Sequence, residues 1–188
     1  HSISKMSYLH FVSNMLHKKR VLQLGENPNR VFNVGEIGLD NIKKNQFIDK
    51  ATLFKSLGLE NKKKTILITY HPETLNKNNL YNFNIFLKSF KKYKNYNLVF
   101  TSANSDLEGE KINKILKKFI KKNKNIYFFE SLGRKQYISL MKYSNLVVGN
   151  SSSGITEAPS LKVISINVGD RQKGRLSAKS VINCACET

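Results

Sequence analysis

From residue 65 onward, short apolar runs alternate with segments whose apolar residues recur at the spacing of a helix. The apolar runs predict five strands, at residues 65–69, 97–101, 126–129, 146–148 and 163–167. Helices are predicted between them, near residues 78–93, 107–122, 134–143 and 153–158. Because parallel strands need crossover connections, this alternation is typical of a parallel sheet with helices on both faces. The sequence therefore predicts an α/β fold with a parallel sheet and helices on both of its faces.

The first sixty residues have a weaker pattern. Residues 2–16 carry apolar residues at roughly helical spacing and predict one helix, and residues 31–34 predict a strand. Asp40 can cap a short helix, and residues 50–57 predict another helix that stops at Gly58. The chain shows no internal repeat and no long linker.

Composition narrows the classes of protein to which the chain can belong. A length of 188 residues with 40% apolar content is enough for the core of one domain. No apolar run approaches the roughly 20 residues that span a bilayer, and residues 1–5 lack the apolar core of a signal peptide. We therefore expect a cytoplasmic protein with no membrane partner. Cys184 and Cys186 form one C-x-C pair without a nearby histidine, which is a poor metal site.

The formal net charge of +19 raises the question of a nucleic-acid partner. The lysines are dispersed, however, and many stand beside asparagine, as at residues 61–64, 91–95 and 121–125. Dispersed cations solvate a surface without building a binding stripe, although their field attracts anionic substrates. We expect no nucleic-acid partner, and keep a basic nucleic-acid-binding domain as the alternative of another class. Aromatic residues at helical spacing are predicted core residues rather than a platform for stacking bases.

A hydroxyl-rich turn, Gly-Asn-Ser-Ser-Ser-Gly at residues 149–154, joins a predicted strand to a predicted helix. The first amides of a helix have no partners inside it and favour an anion, and the serines add hydroxyl donors. Glu157, in the first predicted helical turn, faces the same ligand and suits the two hydroxyls of a ribose. The segment thus predicts a nucleotide-sugar site. A simpler alternative is a cap by Ser152 or Ser153 on a helix that Pro159 ends early.

A second segment, Gly-Asp-Arg-Gln-Lys-Gly-Arg at residues 169–175, follows the last predicted strand. Ligands bind open α/β sheets beyond the carboxyl ends of the strands, and the arginine fork matches phosphate oxygens. The three cations and two glycines of this segment therefore favour phosphate binding.

Together, residues 149–157 and 169–175 resemble the hydrolysing UDP-N-acetylglucosamine 2-epimerases, which form N-acetylmannosamine for sialic acid biosynthesis. Gly-Glu-Asn-Pro at residues 25–28 resembles the family's crossover between domains, and Thr-Tyr-His-Pro-Glu-Thr at residues 69–74 resembles its histidine loop. The similarity covers nearly the whole chain. The Ser-Ser-Ser-Gly form of the turn and the segment at residues 169–175 favour the hydrolysing branch of the family over the branch that does not release UDP.

The resemblance implies the second half of a two-domain, glycosyltransferase-B-type fold. Residues 1–24 are then the end of the first domain or a connecting helix, and residues 25–188 are a C-terminal, nucleotide-binding, Rossmann-like domain. The first domain is absent from the 188 residues, so we expect a fragment that is inactive without this missing N-terminal domain. For the full-length protein we expect a homo-oligomer.

The resemblance also implies roles for individual residues. His71 is the catalytic candidate, because it contacts the substrate diphosphate and helps UDP leave. Leu132 holds the uracil through main-chain groups, and Glu157 binds the ribose. Asn104 contacts UDP or, alternatively, caps the next helix. The remaining contacts to the nucleotide or its diphosphate are Ser151, Ser152 and Arg171, with Gln172 and Arg175 as second choices.

The implied reaction is anti elimination of UDP from UDP-N-acetylglucosamine, giving a 2-acetamidoglucal, and then hydration with inversion at C2. We expect no cofactor and no metal, and we expect the base for the C2 proton in the absent domain. Because that domain reads most of the sugar, UDP-diacetylbacillosamine, a precursor of legionaminic acid, remains an alternative substrate. A glycosyltransferase of similar two-domain fold is a further alternative.

Overall fold

A computed structural model of the chain describes residues 1–44, 46–73, 76, 78–104, 108–121 and 123–186. The chain divides into two compact units, His1–Asn45 and Gln46–Thr188. The domain boundary that the sequence places after residue 24 stays a prediction, because these units describe this chain alone. Within the described residues, no helix combines the length and the hydropathy needed to cross a bilayer.

The first unit contains three helices and a pair of parallel strands. Its elements are α1 (Ser2–Met6), β1 (His10–Val12), α2 (Met15–Gln23), a 3-10 turn (Pro28–Arg30), β2 (Val31–Asn33) and α3 (Ile37–Lys44). The single helix predicted over residues 2–16 is wrong, because β1 pairs in register with β2 and interrupts it. His10 is buried in β1, where its Nε2 lies 3.1 Å from the Glu26 carboxylate. Asp40 lies within the first turn of α3 instead of capping it.

The second unit is a parallel α/β sheet with its connecting helices. Its elements are α4 (Lys50–Ser56), β3 (Lys64–Thr69), α5 (Asn79–Ser89), a 3-10 turn (Phe90–Lys92), β4 (Tyr96–Thr101), α6 (Gly109–Ile120), β5 (Ile126–Phe129), α7 (Gly133–Tyr143), β6 (Leu146–Gly149), α8 (Ser152–Ser160), β7 (Ser165–Val168) and β8 (Val181–Cys184). The predicted fold class is confirmed. The ends predicted for α6, near residues 107 and 122, lie outside the described residues, as does Thr74 of the histidine loop.

The six strands are parallel, in the order β5-β4-β3-β6-β7-β8. From β3 the chain first builds outward through β4 and β5, and then returns to add β6 on the other side of β3. This reversal of strand order is a topological switch point, where open α/β sheets form a crevice at the carboxyl ends of the strands. Thr69 at the end of β3 pairs with Gly149 at the end of β6, which brings the loops after both strands to that crevice.

Two apolar layers cover the two faces of the sheet. One face packs Ile68, Leu98 and Phe100 against α5, the 3-10 turn after it and α6. The apolar residues at helical spacing in this part of the sequence predict the inward side of these elements, and six of them are buried: Phe83, Phe86, Leu87, Phe90, Ile112 and Leu116. Three others that the same spacing predicts to face inward, Leu80, Ile115 and Phe119, are partly buried against this layer. The other face packs Leu67 and Val99 against α4, α7 and α8. Burial of this apolar area stabilises the sheet beneath its carboxyl edge.

Two features of the sheet differ from the sequence prediction. Strand β8 was not among the predicted strands, because it lies at the sheet edge and only Val181 of its four residues is buried. Helix α8 continues through Pro159 to Ser160, so the proline does not end it early.

Candidate functional site

The loops that follow β3, β4, β5 and β6 enclose an open cavity of about 370 Å³ at the carboxyl edge of the sheet, which we call the edge cavity. It is lined by Thr69, His71, Thr101, Ser102, Glu130, Ser131, Leu132, Gly133, Arg134, Tyr137, Ser151 and Ser153. Three of the residues predicted from the sequence, His71, Leu132 and Ser151, therefore meet there. The cavity lies at the switch point, where the topology favours a ligand site.

The hydroxyl-rich turn begins with a close approach between strands. Gly149 has a φ of +137°, and a Cβ at this position would collide with the carbonyl oxygen of Thr69. Ser151 is the N-cap of α8, and its Oγ accepts from the amide of Ser153 at 3.4 Å. The alternative cap by Ser152 or Ser153 is therefore wrong, because the helix begins one residue earlier than predicted. The first turn of α8 directs its N-terminal amides to this edge of the sheet.

Ser152 and Glu157 lie on α8 outside the residues that line the edge cavity. With the helix beginning at Ser152, Glu157 falls in the second turn instead of the first. Its carboxylate is nevertheless close enough to the cavity to act on Tyr137. Burial, helped by the negative charge of Glu157, raises the pKa of the Tyr137 phenol, while the hydrogen bond between the phenol and Ser153 opposes the shift. Glu157 therefore lies near Tyr137 but does not line the edge cavity.

His71 is held on both sides by hydrogen bonds. Its amide donates to Asn150 Oδ1 at 2.7 Å, and Asn150 Nδ2 donates to the His71 carbonyl at 2.8 Å. The imidazole Nδ1 accepts from the amide of Asn104 at 3.0 Å. An accepting Nδ1 places the proton of the neutral ring on Nε2, so Nε2 is the donor of this histidine. The ring is therefore suited to donate to an anionic oxygen.

Asn104 contributes its backbone to this arrangement. The amide fixes the tautomer of His71, whereas the side-chain Oδ1 is buried without a hydrogen-bond partner among the described residues. Asn104 does not line the edge cavity, and residues 105–107 that follow it lie outside the described part of the chain. The predicted direct contact between Asn104 and a nucleotide stays a prediction.

The loop after β5 forms another wall of the edge cavity. Leu132 is buried and immediately precedes α7, and the amide of Gly133 donates to Ser131 Oγ at 3.3 Å. Arg134 is exposed and lines the same wall, which adds a cation beside the hydroxyls. The contact between Leu132 and uracil that the resemblance implies stays a prediction.

The basic segment after β7 is joined to the hydroxyl-rich turn through one carbonyl. The oxygen of Asn150 accepts from Gln172 Nε2 at 2.7 Å and from the Arg171 guanidinium at 3.2 Å. Arg175 donates to Gln172 Oε1 at 2.9 Å. Gln172 and Arg175 line a second cavity of about 380 Å³ that also includes Lys173, on the other flank of the turn. Gln172 and Arg175 thus lie outside the edge cavity, and Arg171 and Gln172 both contact the turn through the Asn150 carbonyl.

Three residues to which the sequence assigned no role organise the site. Asn150 forms two hydrogen bonds with the backbone of His71, and the Tyr137 phenol lies 2.7 Å from Ser153 Oγ. Glu73 Oε1 accepts from the amide of Asp170 at 3.1 Å, which joins the loops after β3 and β7. Asn150 and Glu73 stand inside the motifs that define the resemblance, but their partners are 79 and 97 residues away. Spacing along the chain carries no signal for such contacts.

A parallel sheet with a hydroxyl-capped helix at its switch point defines a Rossmann-like domain of the glycosyltransferase-B type. The whole chain, residues 1–188, matches the family described as UDP-N-acetylglucosamine 2-epimerase. The chain therefore belongs to the UDP-N-acetylglucosamine 2-epimerase family.

Two relatives illustrate the similarity. The chain is 49% identical to the GDP/UDP-N,N'-diacetylbacillosamine 2-epimerase (hydrolyzing) of Campylobacter jejuni, over 97% of the chain and 48% of the relative. It is 40% identical to the polysialic acid biosynthesis protein P7 of Escherichia coli, over 100% of the chain and 48% of that protein. The chain spans about half the length of the curated relatives it matches.

Solved structures agree on the fold. The UDP-GlcNAc 2-epimerase of Methanocaldococcus jannaschii, solved in complex with UDP-GlcNAc and UDP, superposes with a TM-score of 0.70. The match covers 97% of this chain and 51% of that chain at 21% identity, so it shows a shared fold alone.

Proposed function

We propose that this chain is the nucleotide-binding half of a hydrolysing 2-epimerase that acts on nucleotide-linked N,N'-diacetylbacillosamine. The observation that carries the proposal is the edge cavity at the switch point, which gathers His71, Leu132 and Ser151 in a member of this epimerase family. Identity of 49% to the C. jejuni enzyme, against 40% to the E. coli polysialic acid protein, supports the bacillosamine sugar over N-acetylglucosamine.

In this proposal the diphosphate lies against the N-terminus of α8. The amides of the first turn and the Ser151 hydroxyl donate to its oxygens, and His71 Nε2–H donates to the phosphate next to the sugar. Elimination breaks the bond between the sugar C1 and the diphosphate oxygen, so negative charge develops on the leaving phosphate. Donors fixed in advance stabilise that charge without reorganising. His71 then acts as a preorganised donor, held by Asn150 and Asn104.

The remaining contacts place the nucleoside. We assign the base to the wall around Leu132, the ribose hydroxyls to Glu157, and a supporting charge to Arg171. Asn104 and Ser152 contact the nucleotide only once it is bound. The base that removes the C2 proton belongs to a first domain beyond these 188 residues, so the chain alone binds nucleotide without turning over the sugar.

Three other functions are distinguishable from this one. An epimerase of UDP-N-acetylglucosamine, for sialic acid synthesis, differs in the sugar, and product analysis on the full-length enzyme with both sugars separates the two. A glycosyltransferase transfers the sugar to an acceptor without releasing it free. A nucleic-acid-binding module binds random DNA with a steep dependence on salt and ignores nucleoside diphosphates.

The test of the proposal is a calorimetric titration of the purified chain with UDP, GDP and pyrophosphate. GDP is included because the name of the C. jejuni relative covers both nucleotides. Glu157→Ala should weaken UDP more than it weakens pyrophosphate, which has no ribose, and Arg171→Ala should weaken both. Glu110→Ala, in the first turn of α6, is the matched control and should change neither. If the chain binds neither UDP nor GDP, the proposal is contradicted.

A further inference from the structure

Three hydroxyl groups that line the edge cavity form a hydrogen-bonded series. They belong to Tyr137, Ser153 and Ser151. The phenol oxygen lies 2.7 Å from Ser153 Oγ, and Ser153 Oγ lies 3.0 Å from Ser151 Oγ. The series joins α7 to the N-terminus of α8. Thr101 and Thr69, which also line the cavity, form a separate pair with their Oγ1 atoms 2.6 Å apart.

The direction of this series follows from the number of protons. Each hydroxyl has a single proton to donate and two lone pairs to accept with. Ser153 donates to Ser151, so Tyr137 must donate to Ser153.

Ser151 ends the series with its acceptors occupied. Its Oγ already accepts from the Ser153 hydroxyl and from the Ser153 amide, at 3.0 Å and 3.4 Å. Its own proton meets no acceptor among the residues that the structure describes, so it is the donor of the series that is left for a ligand. Hydrogen bonds that run head to tail polarise one another, so this terminal donor is strengthened. Burial keeps the phenol of Tyr137 protonated, because it raises the pKa of that group, and the series therefore persists at neutral pH.

We propose that Tyr137 is a positioning residue that orients the Ser153 and Ser151 hydroxyls, so that Ser151 presents a proton donor to a diphosphate oxygen. This inference rests on the proposed function, since it uses the same cavity. Tyr137 itself does not touch the diphosphate. When its phenol is removed, Ser153 loses its donor and can turn, and Ser151 can then donate back to Ser153 instead of to the ligand.

The experiment compares Tyr137→Phe with Tyr143→Phe, a partly buried tyrosine on the same helix that packs in the apolar layer. Titrations use UDP, uridine and pyrophosphate. Tyr137→Phe should weaken UDP and pyrophosphate by about tenfold, because a terminal charged hydrogen bond is lost in part of the molecules. Uridine lacks the diphosphate and should bind within about twofold of wild type. Tyr143→Phe should leave all three unchanged.

A second control, Thr101→Val, changes the separate threonine pair in the same cavity and should leave UDP affinity within about twofold of wild type, because the hydrogen bonds among Tyr137, Ser153 and Ser151 remain. Unchanged UDP affinity in Tyr137→Phe overturns the inference, and an equal loss of uridine affinity assigns Tyr137 to structure alone, which also overturns it. If wild type binds pyrophosphate but neither UDP nor GDP, the proposed function fails, and the effect of Tyr137→Phe on pyrophosphate still decides the inference. Wild-type protein that binds neither pyrophosphate nor a nucleoside diphosphate overturns both.

Discussion

Asn150 connects three loops, and its replacement by alanine tests whether this connection serves the site. The side chain is fully buried and exchanges two hydrogen bonds with the backbone of His71, at 2.7 Å and 2.8 Å. The main-chain carbonyl oxygen of Asn150 accepts from Gln172 and Arg171. Asn150→Ala removes both hydrogen bonds to the His71 backbone. The main-chain carbonyl of residue 150 remains, but the turn that carries it is no longer fixed by the asparagine side chain.

The expected loss of stability follows from those contacts. A hydrogen bond whose loss leaves a buried polar group unsatisfied costs about 1–3 kcal/mol. Because His71 is only partly buried, water can reach some of the released peptide, and the free energy of unfolding should fall by about 2–4 kcal/mol. For a chain of this size, the melting temperature should decrease by about 5–15 °C.

A matched control lies at the opposite end of the sheet. Asn97, near the start of β4, is equally buried and clamps the backbone of Glu60 in the same way. Its Nδ2 donates to the Glu60 carbonyl at 2.8 Å, and its Oδ1 accepts from the Glu60 amide at 3.3 Å. Asn97→Ala should lower the melting temperature to a similar extent, because the lost contacts are of the same kind.

The two variants should differ in nucleotide binding, measured by calorimetry well below both melting temperatures. We expect Asn150→Ala to weaken UDP by about tenfold or more, since His71 and the turn lose their relative position, and Asn97→Ala to leave it unchanged. Long-range ¹H–¹⁵N spectra of the four histidine rings should show a shifted His71 signal in Asn150→Ala alone. Equal UDP affinity in the two variants would refute the reasoning.

Three further predictions concern positions around the edge cavity. Gly149→Ala should lower the free energy of unfolding by about 3 kcal/mol or more in a denaturant titration, because its Cβ would collide with the Thr69 carbonyl at a φ that alanine disfavours. Lys117 lies 2.7 Å from Glu130 and lowers the pKa of that carboxyl, so Lys117→Met should raise it toward its ordinary value in carboxyl NMR titrations. The pair's contribution to stability, present at neutral pH, should disappear as the pH falls through that pKa, and the variant should lack this dependence. Arg175→Ala should leave UDP affinity within about twofold of wild type in calorimetry, because Arg175 lines the second cavity; a loss as large as that of Arg171→Ala would contradict this placement.

The sequence predicted the sheet well because buried parallel strands are nearly continuous apolar runs. The strand at Ile126–Phe129 matches the prediction, and β3 and β4 begin one residue earlier than predicted. Strand β8 lacks such a run, since most of its side chains are exposed. The helix predicted over residues 2–16 failed because its apolar periodicity also suits a strand such as β1, and pairing with β2 decides the outcome.

The site was predictable where position along a strand fixes position in space. His71, Leu132 and Ser151 each follow a strand end, and parallel strands end at one edge, so the three meet. The contacts of Tyr137 and Asn150 depend on how helices and turns pack after the sheet has formed. Tyr137 has the spacing of a core aromatic residue, and only its position beside Ser153 reveals a polar role.

The crevice between β3 and β6 unites segments that the chain makes far apart. The hydrogen bonds between residues 71 and 150 close a loop of 79 residues, which contains two complete strand–helix units. A denatured chain offers a nucleotide no comparable surface, so nucleotide bound as proposed would draw the folding equilibrium toward the native state. At a nucleotide concentration one hundred times Kd, this linkage would add about 2.7 kcal/mol to the free energy of unfolding. Bound nucleotide would thereby help to maintain the hydrogen bonds between the loops after β3 and β6.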